Sequence, residues 1–416
     1  MRFLLAVFIA FLPGSASALN LSARLTASLH SWERQDDDST SVAQNTIHQL
    51  VSLKIADVGV KGLSFHAYGR GFIHAEDSES RRRLALYSTY ADWKGIARRL
   101  DLRIGRQRVF AGVGRGTFDG AQASLSLPLS VELLAYAGAE TPQDRSTRVR
   151  SWDEGHLYGF RASVRRWRTT LSLSFANESR PALGLTAEEA GESEQELTTL
   201  ARRLLGGEVR SAYLRRAELY GRVDIDAIAW EPARVQLRGS GKASPGLSVS
   251  AELDYRAPAI DANSFLSVFP LKANTEIEGA AAYLMRDRFQ LNGSYSVVLF
   301  AGDETHRLRL GLSRGRSAFG YYRRSGYGGE RDGLTFASGR AITPQVSLRG
   351  SLNFSTYRLS ETSADRDQAL SGVLALDYAR TDKLAVSVEG HVLENKTYDY
   401  DLRLFAKVTW WIDVET

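Results

Sequence analysis

The chain has no cysteine among its 416 residues. That absence excludes structural disulfides, a thiol nucleophile, a zinc–thiolate centre and a lipid-modified N-terminal cysteine. Past residue 18 there is no apolar run near the roughly 20 residues that a spanning helix needs. With a mean hydropathy of −0.25, a helical membrane bundle is excluded as well. Sustained basic blocks are missing beyond Arg81-Arg82-Arg83. The 53 Lys and Arg are interleaved with 48 Asp and Glu, so the net charge of +5 does not point to nucleic acid. The histidines (His30, His48, His66, His74, His156, His306 and His391) are scattered, with no HExxH and no paired ligand spacing. No metal, cofactor or catalytic site is therefore expected. The glycine run Gly112–Gly116 (GVGRG) could cradle a phosphate only if it opened a helix. Strand-like alternation follows it instead, so a bend is the expected role.

What is present is period-two alternation, the mark of half-buried strands. In the stretch from Arg98 to Ala137, Leu100, Leu102 and Ile104 lie on one side and Asp101, Arg103 and Gly105 on the other. Alternation resumes through Ala121, Ala123, Leu125 and Leu127, and after a Pro128 turn through Val131, Leu133, Ala135 and Ala137. The same pattern begins at Leu21, opposite Ser22, Arg24, Thr26, Ser28 and His30, and returns as far as Leu402–Trp411.

Met1 to Ala18 reads as a secretion signal: Arg2, then the apolar Phe3–Leu12, then the small residues Ser15-Ala16-Ser17-Ala18. Residues 19–416 read as a single all-β domain. About twenty-one strand-like stretches can be marked. At roughly 20 residues per strand with its connection they reduce to about 18 strands (16–20), an even number as both ends of a bacterial barrel share one side. One short helix is expected in a long loop, over Glu188–Leu205, because its acids come early and Arg202 and Arg203 late, as the helix dipole favours. Tight connections at 127–129, 286–288 and 381–383 contrast with long ones at 33–45, 140–154, 178–208, 257–273 and 359–367. Short turns at one end and long loops at the other fit a transmembrane antiparallel up-and-down β-barrel. Mid-strand arginines opposite apolar neighbours fit a watery interior, and Tyr87, Tyr90, Trp93, Trp152, Trp167, Trp230, Trp410 and Trp411 are candidates for interfacial girdles.

The segment RRLDLRIGRQRVFAGVGRGTFDGAQASL resembles the strand, GRQ, Gly-rich loop, DG, strand passage of bacterial outer-membrane porins and alginate-export-type barrels. The final YDLRLFAKVTWWIDV is similar to the closing strand of such barrels, although the Trp pair is set back from the end. The resemblance implies a cell outer-membrane location, insertion by the barrel assembly machinery, lipid and lipopolysaccharide around the wall, and a homo-oligomer as one option. It implies passive diffusion of small hydrophilic solutes or ions without covalent chemistry. The alternatives are an export barrel for a polysaccharide or secretion system, and an outer-membrane hydrolase built from His156, Ser174 and Asn177.

Arginine outnumbers lysine, and guanidinium rows favour anions. Candidate pore-lining cations are Arg103, Arg106, Arg161, Arg307, Arg309 and Arg349. Candidate anions are Asp101, Glu132, Glu252, Asp254, Glu276 and Glu278. The competing expectation is that these charges neutralise one another along the wall. An inward-folded loop, 178–208 or 257–273, is expected to narrow the pore, with the apolar Ser264–Pro270 as the preferred segment.

Overall fold

Alternating strands of this length can satisfy their backbones in lipid only by pairing on both edges, and they do so. The computed structural model describes residues 20–36, 42–74, 83–181, 198–212, 216–259, 272–285, 288–358 and 365–415. The strands are β1 (Asn20–Asp36), β2 (Val42–Ala56), β3 (Leu63–His74), β4 (Arg83–Ile96), β5 (Leu100–Ala111), β6 (Gly114–Leu127), β7 (Val131–Glu140), β8 (His156–Arg166), β9 (Thr169–Pro181), β10 (Thr198–Ser211) and β11 (Ala217–Asp226). They continue with β12 (Glu231–Lys242), β13 (Leu247–Arg256), β14 (Asn274–Leu284), β15 (Phe289–Leu299), β16 (Glu304–Arg314), β17 (Ser317–Gly326), β18 (Glu330–Ala341), β19 (Val346–Arg358), β20 (Asp367–Thr381), β21 (Leu384–Asn395) and β22 (Tyr398–Glu415). Each pairs antiparallel with the next, and β22 pairs back onto β1 from Asn20↔Glu415 to Asp36↔Tyr398. The sheet is closed and leaves no edge strand among the described residues.

The all-β up-and-down barrel holds, but it has 22 strands among the described residues, not about 18. Pairs of stretches that the length estimate would merge are separate strands joined by turns of two or three residues. Between β8 and β9 the turn is Trp167-Arg168, with φ of 46° and 62°. Positive φ at both central residues matches the right-handed twist of the strands it joins.

The expected helix over Glu188–Leu205 is also corrected. From Thr198 onward the chain is strand β10, while residues 188–197 lie outside the described residues. Both edges of β10 are in the ladder, with Arg203 beside Asn177 on β9 and Gly206 beside Asp224 on β11. The need to pair every strand edge overrides local helix preference here.

The connections longer than six residues (75–82, 141–155, 182–197, 257–273 and 359–366) all join an odd-numbered strand to the following even one. They therefore share the end opposite the start of β1 and the finish of β22. Along the wall strands the exposed large apolar side chains lie chiefly on one face: Leu29, Ile47, Val51 and Phe65 early in the chain, Leu133, Phe160 and Leu173 further on, Leu310, Leu374 and Leu404 late. This band faces lipid. The alternating polar residues face the interior.

Candidate functional site

A β5–β6 hairpin leaves the wall and enters the interior. The β4–β5 ladder ends at Thr89↔Arg106, and the β6–β7 ladder begins at Phe118↔Glu140. Between these points β5 and β6 pair only with each other, and we call residues 107–117 the arm. At its tip the Val113 N–H donates to Ser174 Oγ on β9 (3.1 Å), and Arg222 Nη2 on β11 donates to the Gly112 carbonyl (3.3 Å). A hairpin between β5 and β6 reaches β11 only across the inside of the barrel. Ser174 and Arg222 each sit five residues from the short-turn end of their strands, so the tip lies deep within the wall.

The glycine run explains how the arm lies flat. Gly112, Gly114 and Gly116 fall on one face at period two. A Cβ on Gly112 would lie 2.1 Å from Ser174 Oγ, one on Gly114 1.9 Å from Tyr136 Oη, and one on Gly116 2.8 Å from a Leu157 methyl. The run is therefore a glycine face pressed onto the inner wall, rather than only a bend. Val109, Ala111 and Phe118 pack with Tyr136 and Leu157, all nearly fully buried. Val113 packs with Ala176 and Leu204. The other face of the arm presents Arg108, Phe110 and Arg115, all exposed, with the Arg108 guanidinium 5.5 Å from the Phe110 ring centre.

Because the arm leaves the wall, the seam between β4 and β5 above Thr89 needs another filler. The 141–155 connection supplies it. The Leu86 N–H donates to the Arg145 carbonyl (2.7 Å), and the Thr141 N–H donates to the Thr117 carbonyl (3.1 Å). Arg106 binds the pieces together. Its Nε and Nη2 donate to the two Asp119 carboxylate oxygens (2.8 and 2.9 Å), Nη1 to the carbonyls of Leu86 (3.2 Å) and Ser146 (2.5 Å), and Nη2 also to that of Arg148 (2.7 Å). All five guanidinium donors are used. The GRQ and DG motifs are thus the root of the arm. Gln107 beside them donates to the carbonyls of Arg103 and Gly120.

The arm is the inward element, and the sequence pointed elsewhere. Of the expected inward segments, 178–181 and 198–208 belong to wall strands. The intervening 182–197, and 260–271 with Ser264–Pro270, lie outside the described residues.

Among the candidate lining residues, Arg106 is 2% exposed and serves the seam. The others face the interior and are engaged. Arg103 meets Asp92 (3.3 Å) and stands over the Tyr90 ring. Arg161 meets Glu208 (3.6 Å) and Ser172, Arg307 meets Glu276 (3.0 Å), and Arg309 meets Glu278 (3.9 Å). Arg349 meets Asp377 (2.8 Å). Glu252 accepts from Gln236 (2.6 Å) and faces Arg238, and Asp254 is held between Arg234 and Arg256. Asp101 accepts from the Gly95 N–H (2.7 Å) in the β4–β5 turn, and Glu132 from Ser124 (3.4 Å). Pairing along the wall is therefore the rule for these residues.

Sequence reading passed over a second set. Arg24, Lys54, Arg70 and Lys407 face the interior on β1, β2, β3 and β22, and no ion pair forms to any of them among the described residues. The signal was present in β1, where Ser22, Arg24, Thr26, Ser28 and His30 alternate without a carboxylate. Its significance depends on which strands flank it, and a single strand does not reveal that.

The three residues considered for hydrolysis are occupied separately. His156 Nδ1 lies 3.1 Å from the Trp152 carbonyl, Ser174 takes the Val113 N–H, and Asn177 Oδ1 accepts from Arg203 Nε. No hydrogen bond joins the three among the described residues.

No protein-family model and no curated protein sequence matches the chain. Solved structures match in fold. A variant of the ferric enterobactin receptor PfeA from Pseudomonas aeruginosa aligns with a TM-score of 0.58 at 9% identity, over 93% of this chain and 80% of that one. The siderophore receptor PirA from the same organism gives 0.57 at 12% identity, over 94% and 80%. OccK8 (OprE), also from Pseudomonas aeruginosa, gives 0.48 at 11% identity, over 95% and 98%. At these identities the likeness is one of fold.

Proposed function

We propose that the chain is an outer-membrane channel through which small hydrophilic solutes diffuse passively, with a preference for anions. The carrying observation is the interior. A closed barrel, apolar outside and polar inside, is narrowed by a fixed arm whose exposed face bears Arg108 and Arg115. Most wall charges cancel in cross-strand pairs, and the cations Arg24, Lys54, Arg70 and Lys407 gather on four adjacent strands without an ion-pair partner among the described residues, whereas the carboxylates in the same position, Asp101, Glu132 and Asp413, are dispersed. A solute crossing such a space meets positive potential that is weakly screened by the low-dielectric wall, which favours anions. Passage needs no covalent step. On this reading the long-loop end faces outward, Met1–Ala18 directs secretion, and the barrel assembly machinery inserts residues 19–416 among lipid and lipopolysaccharide as one domain.

The test is single-channel recording of the refolded protein in a planar bilayer under a potassium chloride gradient. Discrete steps with a reversal potential displaced toward that of chloride are expected. A folded, heat-modifiable protein without steps, or one with a cation-side reversal potential, overturns the reading.

A further inference from the structure

We propose that the inner face of β22, β1, β2 and β3 is a binding track for oxyanions carrying two or more negative charges. The proposal rests on the channel reading and names the class of solute for it.

Strand register sets the track. In the first of four rows, counted from the short-turn end, Asp413, Ser22, Lys54 and His66 stand side by side. In the next row Arg24 lies between Trp411 and Ser52, followed by Tyr68. The third row runs Thr409, Thr26, Leu50, Arg70, and the fourth runs Lys407, Ser28, His48. Four successive interior rows thus carry one cation each. Rows are about 7 Å apart and strands about 4.8 Å apart. That puts the Cα atoms of Lys54 and Arg24 about 8 Å from each other, and those of Arg24 and Arg70 about 12 Å. These long side chains can meet two ends of one small ligand, or pass it from row to row.

Counter-charge is sparse along the track. Among the described residues of β1, β2 and β3, no carboxylate occupies the interior face; on β22 Asp413 stands beside Ser22 in the Lys54 row, and the next three rows carry no carboxylate on these four strands. The contrast with β12 to β16 is direct, because Arg234, Arg238, Arg307 and Arg309 there all have carboxylate partners. Arg70 is held differently: its guanidinium carbon is 5.4 Å from the Phe72 ring centre and 5.8 Å from that of Tyr87, and its buried Nε has no acceptor among the described residues. Ring faces position a cation without consuming its N–H donors, so a ligand can take them.

A recess of about 840 Å³ opens in front of these groups, lined by Arg24, Thr26, Ser28, Arg70, Lys407 and Thr409. Its acidic residues, Asp377 and Glu389, are bound to Arg349 with Ser387 and to His391. Hydroxyls between cations suit oxygen acceptors. A guanidinium fork suits phosphate or carboxylate over a halide, and attraction grows with ligand charge.

The experiment is calorimetric titration of the refolded full chain in detergent with sodium pyrophosphate. Saturable binding is expected. Arg24→Gln and Arg70→Gln should each weaken it about tenfold or more, while Arg309→Gln on β16, outside the track, leaves it unchanged. Lys54→Gln, at an exposed position, gives an independent variant should Arg70→Gln fail to fold. In the bilayer, pyrophosphate should block chloride current in the wild type and much less in Arg70→Gln. No binding, or equal binding by wild type and Arg24→Gln/Arg70→Gln, overturns the proposal. A protein that conducts but does not bind pyrophosphate fails here and keeps the channel reading. One that binds pyrophosphate but does not conduct fails as a channel and keeps the track.

Discussion

Replacing Arg106 with alanine is expected to be the most damaging single change in the wall, costing about 3–5 kcal/mol. The reason is what remains after truncation. Asp119 has a side chain only 8% exposed and would lose its sole ion-pair partner among the described residues. Three carbonyls, those of Leu86, Ser146 and Arg148, would lose their donor together. Breaking a buried pair leaves an uncompensated charge, which costs far more than breaking an exposed one. Arg309–Glu278 supplies the comparison, with a separation of 3.9 Å and an arginine side chain 61% exposed. Removing that pair should cost about 0–1 kcal/mol. Arg106→Lys should fall between, because an ammonium keeps the charge but has three donors and no fork. Urea unfolding of the refolded protein reads all three variants. The seam gives a second readout: with Arg106 gone, nothing but the Leu86–Arg145 bond and its neighbours ties the 141–155 connection to β4, so protease should cut there in Arg106→Ala at concentrations that spare the wild type. If Arg106→Ala unfolds at the same urea concentration as Arg309→Gln, the seam is not held as described.

Much of the wall was legible because period two survives in single strands. Leu100, Leu102 and Ile104 do face lipid, and Asp101 and Arg103 face inward. Strand number was less legible. The marked stretches lacked only β10, and the error came from merging neighbours to fit an average length per strand. β10 was hidden by the charges around its start: the acids at 188–196 that precede it and its own Arg202 and Arg203 satisfy a helix dipole, and only the unpaired edges of β9 and β11 reveal that a strand is required. The site was harder still. Arg307, Arg309 and Arg349 stand out in their own strands, yet register brings each to a carboxylate, two strands away on β14 for Arg307 and Arg309 and on the adjacent β20 for Arg349. Arg24, Lys54, Arg70 and Lys407 look ordinary one at a time. They form a column only once β22 is laid beside β1, a pairing of residues 383 apart in the case of Thr26 and Thr409. Register is a property of strand pairs, so neither the column nor the sparse counter-charge could be read from one segment.

The arm offers a second large effect, because its glycine face makes a geometric demand. Gly114→Val places a branched side chain where Tyr136 Oη is 1.9 Å and Tyr136 Cζ 2.8 Å from the new Cβ. Tyr136 cannot retreat easily, since its ring end lies over Gly159 on β8 so closely that even a methyl there would clash with it. The arm must lift instead. Overpacking of this kind costs about 1–3 kcal/mol, and lifting also uncovers Phe118, Val109 and Ala111, which are 0–1% exposed. Loss of stability at or above the top of that range is therefore expected. Tyr136→Ala alone leaves a cavity and should cost about 3–5 kcal/mol, by analogy with other large aromatic truncations. The double variant should lose less than the sum of the two, because the valine side chain fills space the ring has left, and such coupling is expected for residues in contact. Conductance gives an independent sign. An arm lifted off the wall stands further into the lumen, so Gly114→Val should carry less current than the wild type, and Tyr136→Ala in the same chain should restore part of it. A Gly114→Val protein with unchanged unfolding and unchanged current would mean that the arm does not rest on Tyr136, and the narrowing would then have to come from elsewhere in the barrel.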